Sequence, residues 1–244
     1  MPPSHQWYGV IPGWLLFYAP IVMALDLFGL RVAYLSRLML QGQPTARWDN
    51  IPARLRAVLV FVLGQLRLLR GDFWPGLMHA TIFWGFIILT LGTIEFFGKG
   101  VTKSFSLLGL ERTPAYVIVQ DFFDLAVLVA VAYAAFRRLV TKPTRLTLST
   151  EGLVILLLIG GLMITDLAAD AARIVLAPEP GDRWAFAGVA LSAFFAGMPR
   201  AATLALFHLS WWSHAFILLA FWCGSRTPST STSWPPRSTS SSAP

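Results

Sequence analysis

The stretch Pro75-Gly-Leu-Met-His79-Ala-Thr-Ile-Phe-Trp84-Gly85-Phe-Ile-Ile-Leu89-Thr decides the fold class. It runs on to Phe97 with no Asp, Glu, Lys or Arg before Glu95, which is about the 20 residues that a bilayer core requires. An imidazole stands inside it, and an ionisable group in hydrocarbon is costly unless something binds it, so His79 marks a candidate site. Four more runs repeat the pattern: Ile11 to Leu35, Tyr116 to Phe136, Glu151 to Val175 and Ala201 to Trp222. The last contains Leu206-Phe-His208-Leu-Ser-Trp211-Trp212-Ser-His214-Ala-Phe, which puts three of the four histidines in apolar surroundings. Long unbroken apolar runs do not fit the alternating strands of a barrel. The expected fold is an all-α integral membrane protein, a five-transmembrane-helix bundle over residues 1–222.

Composition agrees. Of 244 residues, 56% are hydrophobic and 13% charged, against roughly 25% charged in a soluble domain, and the mean hydropathy is +0.63. The net charge of +7 is concentrated in two loops. Arg37, Arg47, Arg54, Arg56, Arg67 and Arg70 lie between the first and second runs, and Arg137, Arg138, Lys142 and Arg145 between the third and fourth. The other loops carry only Lys99, Lys103 and Arg112, and Arg183 with Arg200. By the positive-inside rule the N-terminus lies outside and the C-terminal end of the fifth run is cytoplasmic, in a bacterial cytoplasmic (inner) membrane crossed several times. The charge reads as topology and attraction to anionic membrane lipid, with no nucleic-acid role. The single cysteine, Cys223, excludes a disulfide framework and a cysteine-ligated iron–sulfur cluster within these residues. Met1 to Tyr8 lacks the basic region and cleavage site of a signal peptide, so the first run is expected to stay attached. Ala57 to Leu66, between arginine-rich flanks, is expected to be an interfacial amphipathic helix. Pro75 suits a first helical position. No phosphate loop, zinc spacing or nucleophile–base motif is present.

The most economical binder for several membrane imidazoles is haem iron, which takes a neutral histidine nitrogen as axial ligand. His79 stands near the entry of its run on the cytoplasmic side. Its small neighbours Gly76, Ala80 and Gly85 leave space for a flat macrocycle, as small residues do for helix contacts; the alternative is a hydrogen bond to a neighbouring helix. His208 and His214 are six residues apart, so their rings point about 120° from each other and do not readily serve one iron. One of them then faces a second haem, a quinone or a carboxylate, or the two bridge helices. His5 lies outside the membrane and is assigned no role. Glu95, Asp121, Asp124, Asp166 and Asp170 gather toward the outer side, and each would cost about 2.5–3.5 kcal/mol at a helix centre. They are expected to line a polar cavity or to pair with one another or with Arg173, and beside His208 they could take up protons from a quinol. For Asp121 and Asp170, solvation at helix ends is the plain alternative. Asp26 is isolated, and Gly160-Gly161 permits close packing or a cofactor face, with packing the plainer reading. A rival class is a small proton-conducting or transport helical bundle using the same histidines and aspartates, although neither an inverted repeat nor broken helices are evident.

After Trp222 the composition turns abruptly to Ser, Thr, Pro and Arg. One reading of residues 223–244 is a disordered tail. The other is a frame slip. With permitted wobble bases, one base restored from Phe221 onward reads F-L-V-W-I-P-H-S-K-H-L-H-I-L-A-A-P-L-N-I-F-L-R, which completes the fifth run and continues into a histidine-rich exit. The slip is the expectation, and resequencing across the Phe221 codon tests it.

Pro75-Gly-Leu-Met-His79 with Ile82-Phe-Trp-Gly-Phe86, and Phe207-His208-Leu-Ser-Trp-Trp-Ser-His214, resemble the nitrate reductase gamma-subunit type of cytochrome b. More closely they resemble the membrane domain at the N-terminus of heterodisulfide-reductase-related iron–sulfur oxidoreductases, over essentially Trp14 to Trp222. The resemblance implies five helices binding haem b, with electrons passing between menaquinol or ubiquinol and a cytoplasmic iron–sulfur redox partner. It implies His79 as the ligand on the second helix and His214 as one on the fifth. The remaining fifth-helix ligand would fall about eighteen residues further, roughly five turns, on the last histidine of the recovered string. Leu89 stands where two-haem members carry a histidine, which departs from the two-haem pattern. Iron–sulfur clusters are expected only in downstream domains, so the chain reads as a truncated fragment.

Overall fold

The computed structural model describes residues 2–43, 49–144 and 149–224, with side chains as far as 221. Arg47, Arg145 and nearly all of the serine- and proline-rich tail lie outside the described residues. Long apolar runs satisfy their main-chain polar groups internally only as helices, and the elements follow from that. Helix α1 spans Gly13–Leu40, followed by α2, Ile51–Ala57, and α3, Leu66–Gly71. Then come α4, Phe73–Val101, α5, Pro114–Phe136, α6, Thr150–Leu176, α7, Phe186–Phe195, and α8, Arg200–Gly224. Among the described residues, five helices are long and apolar enough to cross a membrane, each beginning within two residues of its expected run. A two-stranded antiparallel hairpin, Trp7–Tyr8 with Ile11–Pro12, is the sheet found among the described residues.

Helix ends follow local chemistry. Ser149 accepts the Gly152 amide at 3.2 Å to cap α6, as short hydroxyl side chains do at N-termini. The α4 helix starts two residues earlier than Pro75, so this proline is not at the first position; it still lies in the first turn, where a missing N–H costs no helical bond. The expected interfacial helix, Ala57 to Leu66, is not a continuous α-helix: a wide helical turn, Val58–Leu63, fills most of it, between the end of α2 and the start of α3.

Packing is antiparallel along the chain. Gly85 faces Val127 and Phe123, while Gly92 faces Gln120, which seats α4 on α5 in opposite directions. Val131 approaches Gly160 on α6, and Val127, Val131 and Met163 form a buried cluster joined by Leu89. Between α6 and α8, Gly161 meets Ile217 and Thr165 meets His214. Gly160 and Gly161 are thus a packing face, as their small size suggested. The arginine-rich end therefore gathers the α4 and α6 starts with the α5 and α8 ends. At the opposite end the N-terminal turn closes the bundle: Ser4 donates to Gly100 O at 2.9 Å and His5 Nε2 to Lys99 O at 3.2 Å.

Sequence reading did not foresee α7. Its helix carries no side-chain cap of its own, and the orphan amide of Ala187 is taken by the Asp121 carboxylate from α5. Asp121 is only 6% exposed, so solvation at a helix end does not explain it. Asp121→Ala is expected to destabilise the α5–α7 contact by about 1–3 kcal/mol, the cost of a buried donor left unpaired. Hydrogen–deuterium exchange at Ala187 and Gly188 should quicken at least about tenfold, with little change in α4.

Candidate functional site

The three membrane histidines occupy three different environments. His79, on the first turns of α4, is exposed on the bundle surface. Its Nδ1 meets Gln65 Oε1 at 3.1 Å. Gln65 is 5% exposed and stands in a left-handed turn with φ 51°, with its amide nitrogen donating to Val62 O at 2.7 Å. The connector is held against α4 at two further points. Trp84 Nε1 donates to Leu63 O at 3.1 Å, and a side chain at Gly76 would stand 2.5 Å from Leu68 O. The space expected for a macrocycle beside Gly76 and Gly85 is therefore filled, by the α3 main chain and by Val127. The open face is the one His79 itself presents.

His214 is 7% exposed. Its ring lies 5.1 Å from Phe96, and its Nδ1 faces Thr165 Oγ1 at 3.2 Å and Leu162 O at 3.3 Å. Thr165 donates its own proton to Gly161 O at 2.7 Å, and the Leu162 carbonyl oxygen can only accept, so Nδ1 carries a hydrogen and Nε2 is the bare nitrogen of the neutral ring. Asp166 Oδ1 stands 4.0 Å from the same Nδ1. Buried beside this group is Asp124, 3% exposed, with one carboxylate oxygen lacking a hydrogen-bond partner.

His208 faces elsewhere, as the six-residue spacing requires. Its Nδ1 is 2.9 Å from the Tyr8 hydroxyl, which also accepts Trp212 Nε1–H at 2.9 Å. The carboxylates do not lie around it, where they could have taken up protons from a quinol; Asp166 stands by His214 and Asp121 caps α7, and pairing with Arg173 is found as expected. Arg173 joins Asp170 at 2.7 Å and Asp182 at 2.6 Å, while Glu95 pairs with Lys99 at 2.8 Å. Asp26 is exposed on α1, and nothing in the structure explains it. In the loop after α4, partial burial raises the Glu111 carboxyl, but the Ser106 hydroxyl, donating to both oxygens at 2.8 and 3.0 Å, helps hold it below its ordinary value.

His79 and His214 do not share a level. Phe96, beside His214, lies 17 residues beyond His79 on α4, about 25 Å along a helix axis. One iron cannot take both. Gln65, Tyr8 and Thr165 escaped sequence reading; a lone Gln closing the apolar Val58–Leu63 run is the one visible signal among them. An open groove of about 450 Å³ on the connector is lined by Phe61, Leu66, Arg67, Arg70 and Gly71. Among the described residues, no three His, Cys, Asp or Glu side chains form a metal-binding group.

No family model matches the chain, and no solved structure does. Two curated proteins are similar to it. The probable iron-sulfur-binding oxidoreductase FadF of Bacillus subtilis is 30% identical over 210 residues, covering 85% of this chain and 29% of that protein. The EtfAB:quinone oxidoreductase of Syntrophomonas wolfei is 29% identical over 231 residues, covering 85% and 30%. The chain thus spans under a third of the length of the curated relatives it matches, and the likeness relates it to iron–sulfur and quinone oxidoreductases.

Proposed function

We propose that this chain is the membrane cytochrome b part of a quinone-linked oxidoreductase, relaying electrons between menaquinol or ubiquinol and a cytoplasmic iron–sulfur, heterodisulfide-reductase-like module. Haem b would supply one-electron transfer through its iron. His79 would be an axial ligand near the cytoplasmic face, with the arginine-rich end inside. The observation that carries this is the imidazole itself: Nδ1 is bound to an amide oxygen while the ring stays open on the surface, the arrangement in which a second-shell acceptor orients a ligand histidine. Arg67 and Arg70, lining the groove on the same connector, would hold the haem carboxylates. His214, buried with a bare Nε2, would serve a different iron or none.

The level difference supports a ligand beyond residue 222. The α8 helix runs opposite to α4, so a ligand eighteen residues past His214 on a helix that continued would rise about 27 Å and come level with His79. That is where the last histidine of the restored frame would fall. The test is a pyridine haemochrome assay with a reduced-minus-oxidised spectrum on purified protein, from the gene as it stands and with one base restored after the Phe221 codon. The expected result is a b-type band in the restored protein, at least about tenfold stronger than in the other. Restored protein that keeps its helical content but stays colourless would overturn the proposal.

The buried Asp124 beside Asp166 and His214 favours a second reading, a proton-conducting or transport bundle. Proton flux in liposomes without bound pigment, lost in Asp124→Asn, is its signature.

A further inference from the structure

We propose that Gln65 is the residue that sets the tautomer and direction of the His79 imidazole, presenting Nε2 as the nitrogen that meets iron. The inference rests on the haem reading above. Its physical basis is a short chain of hydrogen-bond roles. Val62 O can only accept, so the Gln65 amide nitrogen must face it, at 2.7 Å. The amide oxygen then faces His79 Nδ1 at 3.1 Å, and an amide oxygen also only accepts. His79 must therefore donate from Nδ1. In the neutral ring that leaves Nε2 with a free lone pair, the form a metal takes.

The backbone around Gln65 is built to hold this geometry. A non-glycine residue at φ 51° is uncommon and persists only where its surroundings impose it. Here they do. Leu68 and Leu69 amides both bond to Gln65 O, at 3.0 and 3.1 Å, so the left-handed turn opens α3 and aims the side chain back at α4. Gly76 lets the α3 main chain lie directly on α4, and Trp84 ties the preceding turn down through Leu63 O. Gln65, Gly76, His79 and Trp84 form one clamp, and its only surface-facing member with a lone pair to offer is His79.

An acceptor on Nδ1–H raises the basicity of Nε2 and favours the oxidised metal, and losing such a partner typically weakens metal binding about 10–100-fold. Two measurements test the role. The first uses haem-free protein in lipid nanodiscs with ¹⁵N-labelled histidine, His79 being assigned by its loss in His79→Ala. Neutral His79 is expected to carry its proton on Nδ1, the tautomer that free histidine in water disfavours. A proton on Nε2 would overturn the inference. The second compares Gln65→Met with Gln65→Glu in haem-loaded protein. The Met variant should release haem about 10–100-fold more readily and show a raised midpoint potential. The Glu variant keeps an acceptor for Nδ1–H but loses the donor to Val62 O, so it should hold haem better than the Met variant and show a midpoint potential no higher than wild type. Met-variant haem retention within about twofold of wild type, at unchanged potential, refutes Gln65's role while leaving the haem reading intact. Wild-type protein that takes no haem refutes the haem reading and the iron with it, whereas the tautomer still reports on Gln65.

Discussion

His79→Ala is expected to leave the frame-restored chain fully helical and remove the greater part of its b-type absorbance, at least about tenfold. The effect can be read cleanly because of where the residue stands. His79 is exposed, so truncating it empties no core space, and the cost is confined to the buried Gln65 Oε1 left without its donor, about 1–3 kcal/mol. Alanine is also the best helix former, so the first turns of α4 should not fray. What would be lost is the ring nitrogen proposed to hold the haem iron. His214→Ala provides the contrast. That ring is 7% exposed and packed on Phe96, so its removal opens a cavity and should cost about 2–4 kcal/mol, in the range of large-to-small core changes. If pigment vanishes in His214→Ala but survives in His79→Ala, the ligand assignment is reversed and the site lies at the hairpin end. Thermal unfolding in detergent, followed at 222 nm beside the haem spectrum, separates the two effects.

The long spans were legible because a bilayer demands uninterrupted apolar length: Thr150–Leu176 differs from its expected run by one residue at each end, while Gly13–Leu40 starts two residues later and continues five further. The α7 helix was not legible: its ten residues are too few to span and sit between proline-containing turns, so they read as loop. The 120° divergence of His208 and His214 followed from helix geometry alone and agrees with their different partners. Gln65 could not be read from sequence, since its role depends on a left-handed turn and on a contact fourteen residues later in the chain. The same holds for Asp121, whose partner amide is 66 residues away on another helix. Charges that act across helices carry no periodic signature, which is why the pairing of Asp170 with Arg173, three residues away on one helix, was legible while the approach of Asp121 to α7 and of Asp166 to His214 was not.

Arg173 is where those charges matter most for stability. Its guanidinium binds Asp170 through Nε and Nη2, at 3.0 and 2.7 Å, and Asp182 through Nη1 and Nη2, at 3.4 and 2.6 Å. This forked geometry is available to arginine and not to lysine. It joins the last turn of α6 to the loop that leads into α7, and Asp182 in turn accepts the Glu179 amide. Arg173→Leu would strand two carboxylates at the end of an apolar helix. The arginine side chain is 32% exposed, so the cost lies between that of a surface pair and a buried one, about 1–4 kcal/mol. Arg173→Lys should recover only part of it, because one ammonium cannot span both acceptors in plane. Adding Asp170→Asn and Asp182→Asn to Arg173→Leu should restore most of the loss, since the penalty comes from unpaired charge and not from missing packing. A triple variant no more stable than Arg173→Leu would mean that the arginine stem, lying along α6, is what holds α7 in place.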